Sequence, residues 1–366
     1  MAIQYAYKMK RYGNLYPKIY DIDNLRRAHK NAKKGKGWYK EVKLVDENPE
    51  EYLARLQEML INKTYHTSEY KTFIRNDTGK ERLIYKLPYF PDRICQWAIL
   101  QIIEPYLLKT FTDDTYSAIP EKGIHLCLYK LKHAMQTDIS GCQYCLKLDV
   151  KKYYPSIDHA ILKMQYRRLF KDKDLLWLLD EIIDSTPGGV GIPIGNYLSQ
   201  YSGNLYLSSF DHWIKEVKRV KHYFRYMDDI VIFGENKSGL HKLKDDIAEY
   251  FRMNLKLEIK ENWQVFPSYI RGVDYVGYRV FLDYVLLRKR TCKRMKKKLN
   301  RINKDRMEGR DLNYSKWCAI NSYKGWLMHC DSYRLQQKYI APIQEYADAY
   351  YQRNIKSKNK KGGKKA

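Results

Sequence analysis

The sequence predicts an α+β protein, and three observations carry that expectation. Apolar residues recur at helical spacing in the first and last thirds of the chain, as in EEYLARLQEML and in the stripe Trp317, Ile320, Tyr323, Trp326 and Leu327. Two short, apolar, β-rich runs, YCLKLDV and YFRYMDDIVIF, occupy the middle and read as central strands. Between Thr67 and Leu87, β-prone pieces flank the turn Asn76-Asp77-Thr78-Gly79, the pattern of a hairpin.

In chain order, DNLRRAHKNAKKGKG reads as a basic helix ended by glycine. ENPEEYLARLQEMLINKTY follows, with Tyr52, Leu53, Leu56 and Leu60 on one face after an acidic first turn that suits the positive end of a helix dipole. The hairpin comes next and carries Arg75, Lys80, Arg82 and Lys86. PDRICQWAILQIIEPYLLKTF is a largely buried helix, and HKLKDDIAEYFRMNL, after the second central run, is an amphipathic one. GVDYVGYRVF and YVLLRKR form a further strand pair. From Thr291 the chain is basic and helical, with Met295, Leu299 and Ile302 interleaved for packing. The end, NIKSKNKKGGKKA, is low in complexity and expected to be disordered.

A chain of 366 residues can bury a sizeable core. Its 68 Lys and Arg against 42 Asp and Glu leave a net charge of +26, which points to a polyanionic partner. No apolar run approaches a membrane span, and MAIQYAYKMK lacks a secretory apolar core, so nucleic acid outranks an anionic membrane as that partner. The 7 cysteines are scattered, as expected of reduced thiols and a cytoplasmic location. Cys142 and Cys145 make one close pair with no second pair at zinc spacing, and read as small core residues entering a strand.

The acidic residues carry the chemistry. Joining a nucleotide to a primer 3′ end calls for two divalent cations, one acidifying the attacking hydroxyl and one neutralising the leaving pyrophosphate. Hard ions such as Mg2+, with Mn2+ as the substitute, require carboxylate oxygens on rigid elements. Asp149 ends the strand YCLKL, and Asp228-Asp229 stands between β-rich runs, where a tight turn presents both acids at a hairpin tip. Adjacent strands of one sheet would bring Asp149 beside that tip. Apolar flanks on both sides argue against an ordinary solvated turn, because carboxylates desolvated there need a cation.

These residues have a family resemblance. Tyr226-Met227-Asp228-Asp229 after Phe224-Arg225, with LKLDVKKYYPSIDH upstream, resembles motifs C and A of reverse transcriptases. GIPIGNYLSQYSGNLYL resembles motif B, KERLIYKLPYFPDRICQ the fingers motif, LKLEIKENWQVFP motif D and RGVDYVGYRVF the primer-grip motif E. The motifs stand in family order. Within the family the chain is similar to the reverse transcriptases of diversity-generating retroelements. Motif B reads Ile194-Gly195-Asn196-Tyr197-Leu198-Ser199-Gln200 where other groups carry Gln-Gly, TYSAIPEKGIH resembles the family's Lys-Gly-x-His stretch, and SYKGWLMHCDSYRL resembles its thumb.

The resemblance implies a right-hand polymerase fold with fingers, a palm with an antiparallel sheet, and a helical thumb. Its segments would be an N-terminal helical extension over 1–65, fingers over 66–148, palm over 149–288, thumb over 289–352, and a disordered basic tail over 353–366. Asp149, Asp228 and Asp229 would be catalytic and, with the Val150 carbonyl, would hold the metals. Tyr154 would be the steric gate against a ribose 2′-OH. Arg75, Lys80, Arg82, Lys86, Ile194, Gly195 and Gln200 would contact nucleotide or template, and Lys260 would protonate the pyrophosphate, with Lys256 as its rival. Ile194 cannot hydrogen-bond through its side chain, and the resemblance implies error-prone copying at template adenines. The implied partners are a template RNA, the RNA/cDNA hybrid and a small basic accessory protein, the accessory variability determinant. A phage-defence or other bacterial reverse transcriptase is the alternative, followed by a non-catalytic RNA-binding protein on the same fold.

Overall fold

The computed structural model describes residues 11–77 and 80–356. Helices and three sheets among these residues give the expected α+β character. Strands β1 (Lys71–Asp77) and β2 (Lys80–Lys86) form an antiparallel hairpin. β3 (Tyr144–Asp149), β4 (Tyr223–Tyr226), β5 (Asp229–Gly234) and β6 (Gln264–Pro267) make a sheet in the order β4-β5-β3-β6. β7 (Val273–Tyr275), β8 (Tyr278–Val280) and β9 (Val285–Leu287) make an antiparallel third. The chain falls into two compact units, both discontinuous in sequence. One holds the described residues up to Gly123 with Leu146–Ile232 and Ser238–Gln264; the other holds Ile124–Cys145, Phe233–Lys237 and the described residues from Val265 onward.

In the first unit, helix Ile22–Ala32 starts at Asp21, whose carboxylate accepts from the Asp23 and Asn24 amides. It ends at Ala32, ahead of the glycines expected to end it, and Lys33–Tyr39 continues as turns. Leu25, Ala28 and Ala32 are buried toward helix Ile94–Leu108. Asn24 locks the pair, its Nδ2 donating to the Ile19 and Ala98 carbonyls at 2.9 and 3.1 Å. Helix Lys40–Glu47 escaped the sequence reading; helix Pro49–Ile61 matches it, with Leu53, Leu56 and Leu60 buried. β4 and β5 are nearly all core, and helix Tyr197–His212, buried along most of its length, lies in the same unit.

In the second unit, one expectation is corrected. GVDYVGYRVF is a hairpin in itself, so three strands stand where two were expected. The turn is Val276-Gly277, both at positive φ, and its first residue is β-branched, which sequence rules place in strands. Gly277 is required there: an added Cβ would overlap the Trp326 ring. Met295, Leu299 and Ile302 of helix Lys289–Met307 are buried as expected, as are Ile320 and Leu327 of helix Tyr314–Leu327. Cys142 and Cys145 are both buried, as expected of small core residues. The final helical turn runs to Lys356, past the expected start of the tail, and residues 357–366 lie outside the described residues. Among the described residues no helix is long and apolar enough to cross a membrane.

Candidate active site

The hairpin β4–β5 turns through two residues. Tyr226 and Asp229 pair across it, leaving Met227 and Asp228 at the tip. Met227 takes a left-handed φ of 59°, a conformation that a non-glycine residue holds only when its surroundings enforce it. β3 is the next strand, and the Val150 amide donates to the Asp228 carbonyl at 3.3 Å, which sets the end of β3 against the tip. The structure therefore brings Asp149, Val150, Asp228 and Asp229 together.

Their electrostatics are strained. Asp228 is half-buried, and its carboxyl is pushed up to about 7, first by burial, then by the charge of Asp149 and a hydrogen bond with it, and by Asp229. Two lysines counter the charge. Lys147 Nζ lies 3.6 Å from Asp229 Oδ1, and Lys260 Nζ lies 3.5 Å from Asp149 Oδ2. Lys260 is fixed there because its own amide donates to the Asp149 carbonyl at 2.8 Å. Its rival Lys256 instead pairs with Asp158 at 2.6 Å. Among the described residues no three His, Cys, Asp or Glu side chains are gathered in metal-holding geometry. The donor set nonetheless fits hard divalent cations: all its ligands are oxygens, and the mutual repulsion that raises Asp228 is what a cation relieves.

Tyr153 and Tyr154 play different parts. Tyr153 is 3% exposed and donates to the Gly203 carbonyl, which makes it a core residue. Tyr154 is half-buried; a Cβ on Gly203 would sit 3.6 Å from its hydroxyl. Burial, and then the charge of Asp228, hold the Tyr154 phenol above its ordinary pKa.

Ile194 and Gly195 lie in the turn ahead of helix Tyr197–His212. The Ile194 carbonyl accepts from the Tyr85 amide of β2 at 3.0 Å. Gly195, at φ 123°, lies so close that an added Cβ would be 2.7 Å from the Tyr85 carbonyl oxygen. Gln200 is exposed within the helix's first turn. On the hairpin, Arg75 and Arg82 are direct cross-strand partners, both exposed, so like charges face each other on one side. Lys86 shares that side but is ion-paired with Glu41 at 2.8 Å. Lys80 begins β2 opposite Asp77.

Sequence reading missed the support beneath the tip. Arg225, 0% exposed, makes a double contact with Asp211, equally buried, at 2.7 and 2.5 Å. It also donates to Asn204 Oδ1 at 3.1 Å, Thr115 Oγ1 at 3.3 Å and the Met227 carbonyl at 3.0 Å. Tyr223 and Thr115 hydroxyls complete the hydrogen bonding of Asp211. The segment around Thr115 lies along β4: the Arg225 amide donates to the Asp114 carbonyl and the Tyr116 amide to the Arg225 carbonyl. The signal was an arginine inside an otherwise apolar strand and an aspartate in the apolar stretch LYLSSFDHW.

The family described as reverse transcriptase (RNA-dependent DNA polymerase) matches residues 71–280. The chain is 22% identical over 263 residues to Protein YkfC of Escherichia coli (strain K12), covering 60% of this chain and 67% of that protein. It is 20% identical over 322 residues to the group II intron-encoded protein LtrA of Lactococcus lactis subsp. cremoris, covering 69% of this chain and 53% of LtrA. The chain thus spans about half the length of LtrA. Among solved structures, apo telomerase from Candida tropicalis superposes with a TM-score of 0.48 at 13% identity, over 66% of this chain and 53% of that one. Telomerase from Candida albicans with a telomeric RNA fragment gives 0.46 at 12% identity, over 82% and 65%.

Proposed function

This chain belongs to the reverse transcriptase (RNA-dependent DNA polymerase) family, and we propose that it copies a template RNA into cDNA as the error-prone polymerase of a diversity-generating retroelement. The observation that carries the polymerase reading is the contact of Asp149 with Asp228 at the β4–β5 tip, where burial, and then the charge of Asp149, lifts the Asp228 carboxyl to about 7. Magnesium ions bound by Asp149, Asp228, Asp229 and the Val150 carbonyl would acidify the primer hydroxyl and neutralise the departing pyrophosphate.

The protein's own residues do the rest. The Tyr154 ring, backed by Gly203, blocks a ribose 2′-OH and so selects deoxynucleotides. Arg75 and Arg82, like charges facing each other, gain stability when a triphosphate lies between them. Lys260, beside Asp149, is placed to give its proton to the leaving group. Lys86 is neutralised by Glu41 and serves the hairpin's position rather than the phosphates.

The retroelement reading rests on Ile194. Its backbone ties the turn to Tyr85, while its side chain can pack against the nascent pair but cannot hydrogen-bond it. A misaligned template base is then less constrained. The template RNA, the RNA/cDNA hybrid and a small basic accessory protein (the accessory variability determinant) complete the proposed assembly. The similarity to LtrA favours, as the second reading, another bacterial reverse transcriptase with a different cDNA product.

Sequencing cDNA made from a defined RNA template, with the accessory protein present, tests this. The wild type should misincorporate opposite adenine more than opposite other bases, and Ile194→Gln should reduce that excess several-fold, the scale of one hydrogen bond of ~1 kcal/mol. Equal fidelity at all four bases in the wild type would overturn the retroelement reading and leave the second one.

A further inference from the structure

In β3, Leu146 and Leu148 are buried, whereas Lys147 and Asp149 are half-buried and, at a spacing of two, lie on the other face of the strand. Lys260, beside Asp149, has a role in proton transfer; Lys147 has none. Its Nζ stands 3.6 Å from Asp229 Oδ1, with 27% of the lysine side chain and 31% of the aspartate side chain exposed. An ammonium on an apolar strand is costly unless a charge offsets it, and Asp229 supplies that charge.

The separation bears on what the pair does. Other lysine–carboxylate pairs in the same unit close to 2.6 Å, as in Lys63–Asp174, Lys218–Asp246 and Lys256–Asp158. That is the length of a direct charge-assisted hydrogen bond. At 3.6 Å Lys147 offsets the charge of Asp229 without gripping it so closely. The lysines leave the three ionised acids one negative charge in excess, whereas two divalent cations would more than neutralise the acids. Ammonium and divalent cation are therefore rivals for the same carboxylate.

We propose that Lys147 is the stand-in cation of the metal-free site: its ammonium holds Asp229 beside Asp149 and Asp228, gives it up when a divalent cation binds, and so raises the metal concentration the site requires. Lys147 is a positioning residue that acts through Asp229. The inference rests on the reading of these acids as metal ligands. A contact with nucleotide or primer phosphate fits less well. Lys147 already faces a carboxylate and is mostly covered, whereas Arg75 and Arg82, the candidates for phosphate, are exposed and face like charge.

The test uses the full chain and Mg2+ alone, titrated by calorimetry at pH 8.5, with Asp228→Asn plus Asp229→Asn as the baseline for adventitious binding. Lys147→Met keeps the bulk of the side chain and removes its charge. It should bind Mg2+ roughly fivefold more tightly than the wild type, the upper scale of a partly exposed ion pair. Lys147→Arg should restore the wild-type affinity, and Lys147→Gln replaces the methionine variant if that one does not fold. Thermal melts give a second readout. Lys147→Met should melt below the wild type in EDTA and at or above it in saturating Mg2+, whereas a lysine that merely packs would lose the same amount in both. Unchanged or weaker Mg2+ binding by Lys147→Met overturns the proposal, as does an equal loss in the two melts. A raised KM for deoxynucleotides with unchanged Mg2+ affinity also overturns it and makes Lys147 a phosphate contact. Wild-type Mg2+ uptake no greater than the baseline is a different result, which removes the metal reading itself and this proposal with it.

Discussion

The Arg225 guanidinium donates from Nη1 to the Met227 carbonyl at 3.0 Å, one peptide bond before Asp228. Nη1 also reaches Asn204, and Nε and Nη2 reach Asp211 and Thr115, so one side chain ties the tip of β4–β5 to helix Tyr197–His212 and to the segment beside β4. The left-handed backbone of Met227 is thereby held from below. Arg225 is a positioning residue: it acts on the acids only through the peptide they hang from.

Arg225→Lys should separate the two roles. Lysine keeps a charge opposite Asp211 but cannot reach Asp211, Asn204 and Met227 at once. The variant should fold, bind primer–template with unchanged KM, and lose kcat by tenfold or more. Arg225→Met leaves Asp211 buried without its counter-charge, held only by the Tyr223 and Thr115 hydroxyls, and should cost ~3–5 kcal/mol in denaturant unfolding. A lysine variant with wild-type kcat would show that the Met227 contact is idle.

Asp228 yields a pH prediction. Its folded pKa, about 7, lies above the ordinary carboxylate value of 3.8, so the folded state holds the proton more tightly. Stability is therefore full at low pH and falls as pH rises toward and through 7, where the charge must form. In EDTA, Asp228→Asn should be more stable than the wild type by ~1–2 kcal/mol at pH 8, an amount discounted for the group's partial exposure. The advantage should vanish near pH 4. Denaturant melts at the two pH values decide it, and an asparagine variant that is less stable at pH 8 contradicts the crowding of the acids.

How much of this was legible in the sequence depends on the signal each part leaves. Asp149 and Asp228-Asp229 stood out because acids in apolar strands are costly and the β period fixes where they point. The hairpin, the 94–108 helix and the basic 289–307 helix followed from composition and periodicity. The β7–β8 turn did not, because Val276 is a strand former and the constraint comes from Trp326, distant in sequence. The sequence marked Ile194 only through its side chain, as a residue that contacts nucleotide or template, whereas its bond to Tyr85 is made by a backbone carbonyl, which leaves no mark in side-chain chemistry. The choice between Lys256 and Lys260 likewise needed the fold, since Asp158 claims the first.

Gly195 makes a local prediction. Alanine there meets both a φ of 123° and the Tyr85 carbonyl, so Gly195→Ala should cost ~1–3 kcal/mol or push the turn away from β2. In the second case the Tyr85 amide loses its acceptor, the Ile194 carbonyl. Hydrogen exchange at Tyr85 should then quicken. Unchanged stability together with unchanged Tyr85 protection would contradict the close approach.

The adjacent tyrosines should behave differently. Tyr154→Ala should raise ribonucleotide incorporation more than it lowers deoxynucleotide incorporation, with a modest loss of stability. Tyr153→Ala removes a ring that is 3% exposed and should destabilise by ~3–5 kcal/mol without relaxing sugar selection. If Tyr154→Ala stays fully selective for deoxynucleotides, the gate lies elsewhere.

The most direct test of the central claim is primer extension on an RNA template by the wild type and by Asp228→Asn with Asp229→Asn, each in Mg2+ and each with its RNA affinity measured alongside. The account predicts extension by the wild type, and RNA affinity near the wild-type value but no extension by the double variant, because only metal ligation is removed. Robust extension by the double variant would contradict it.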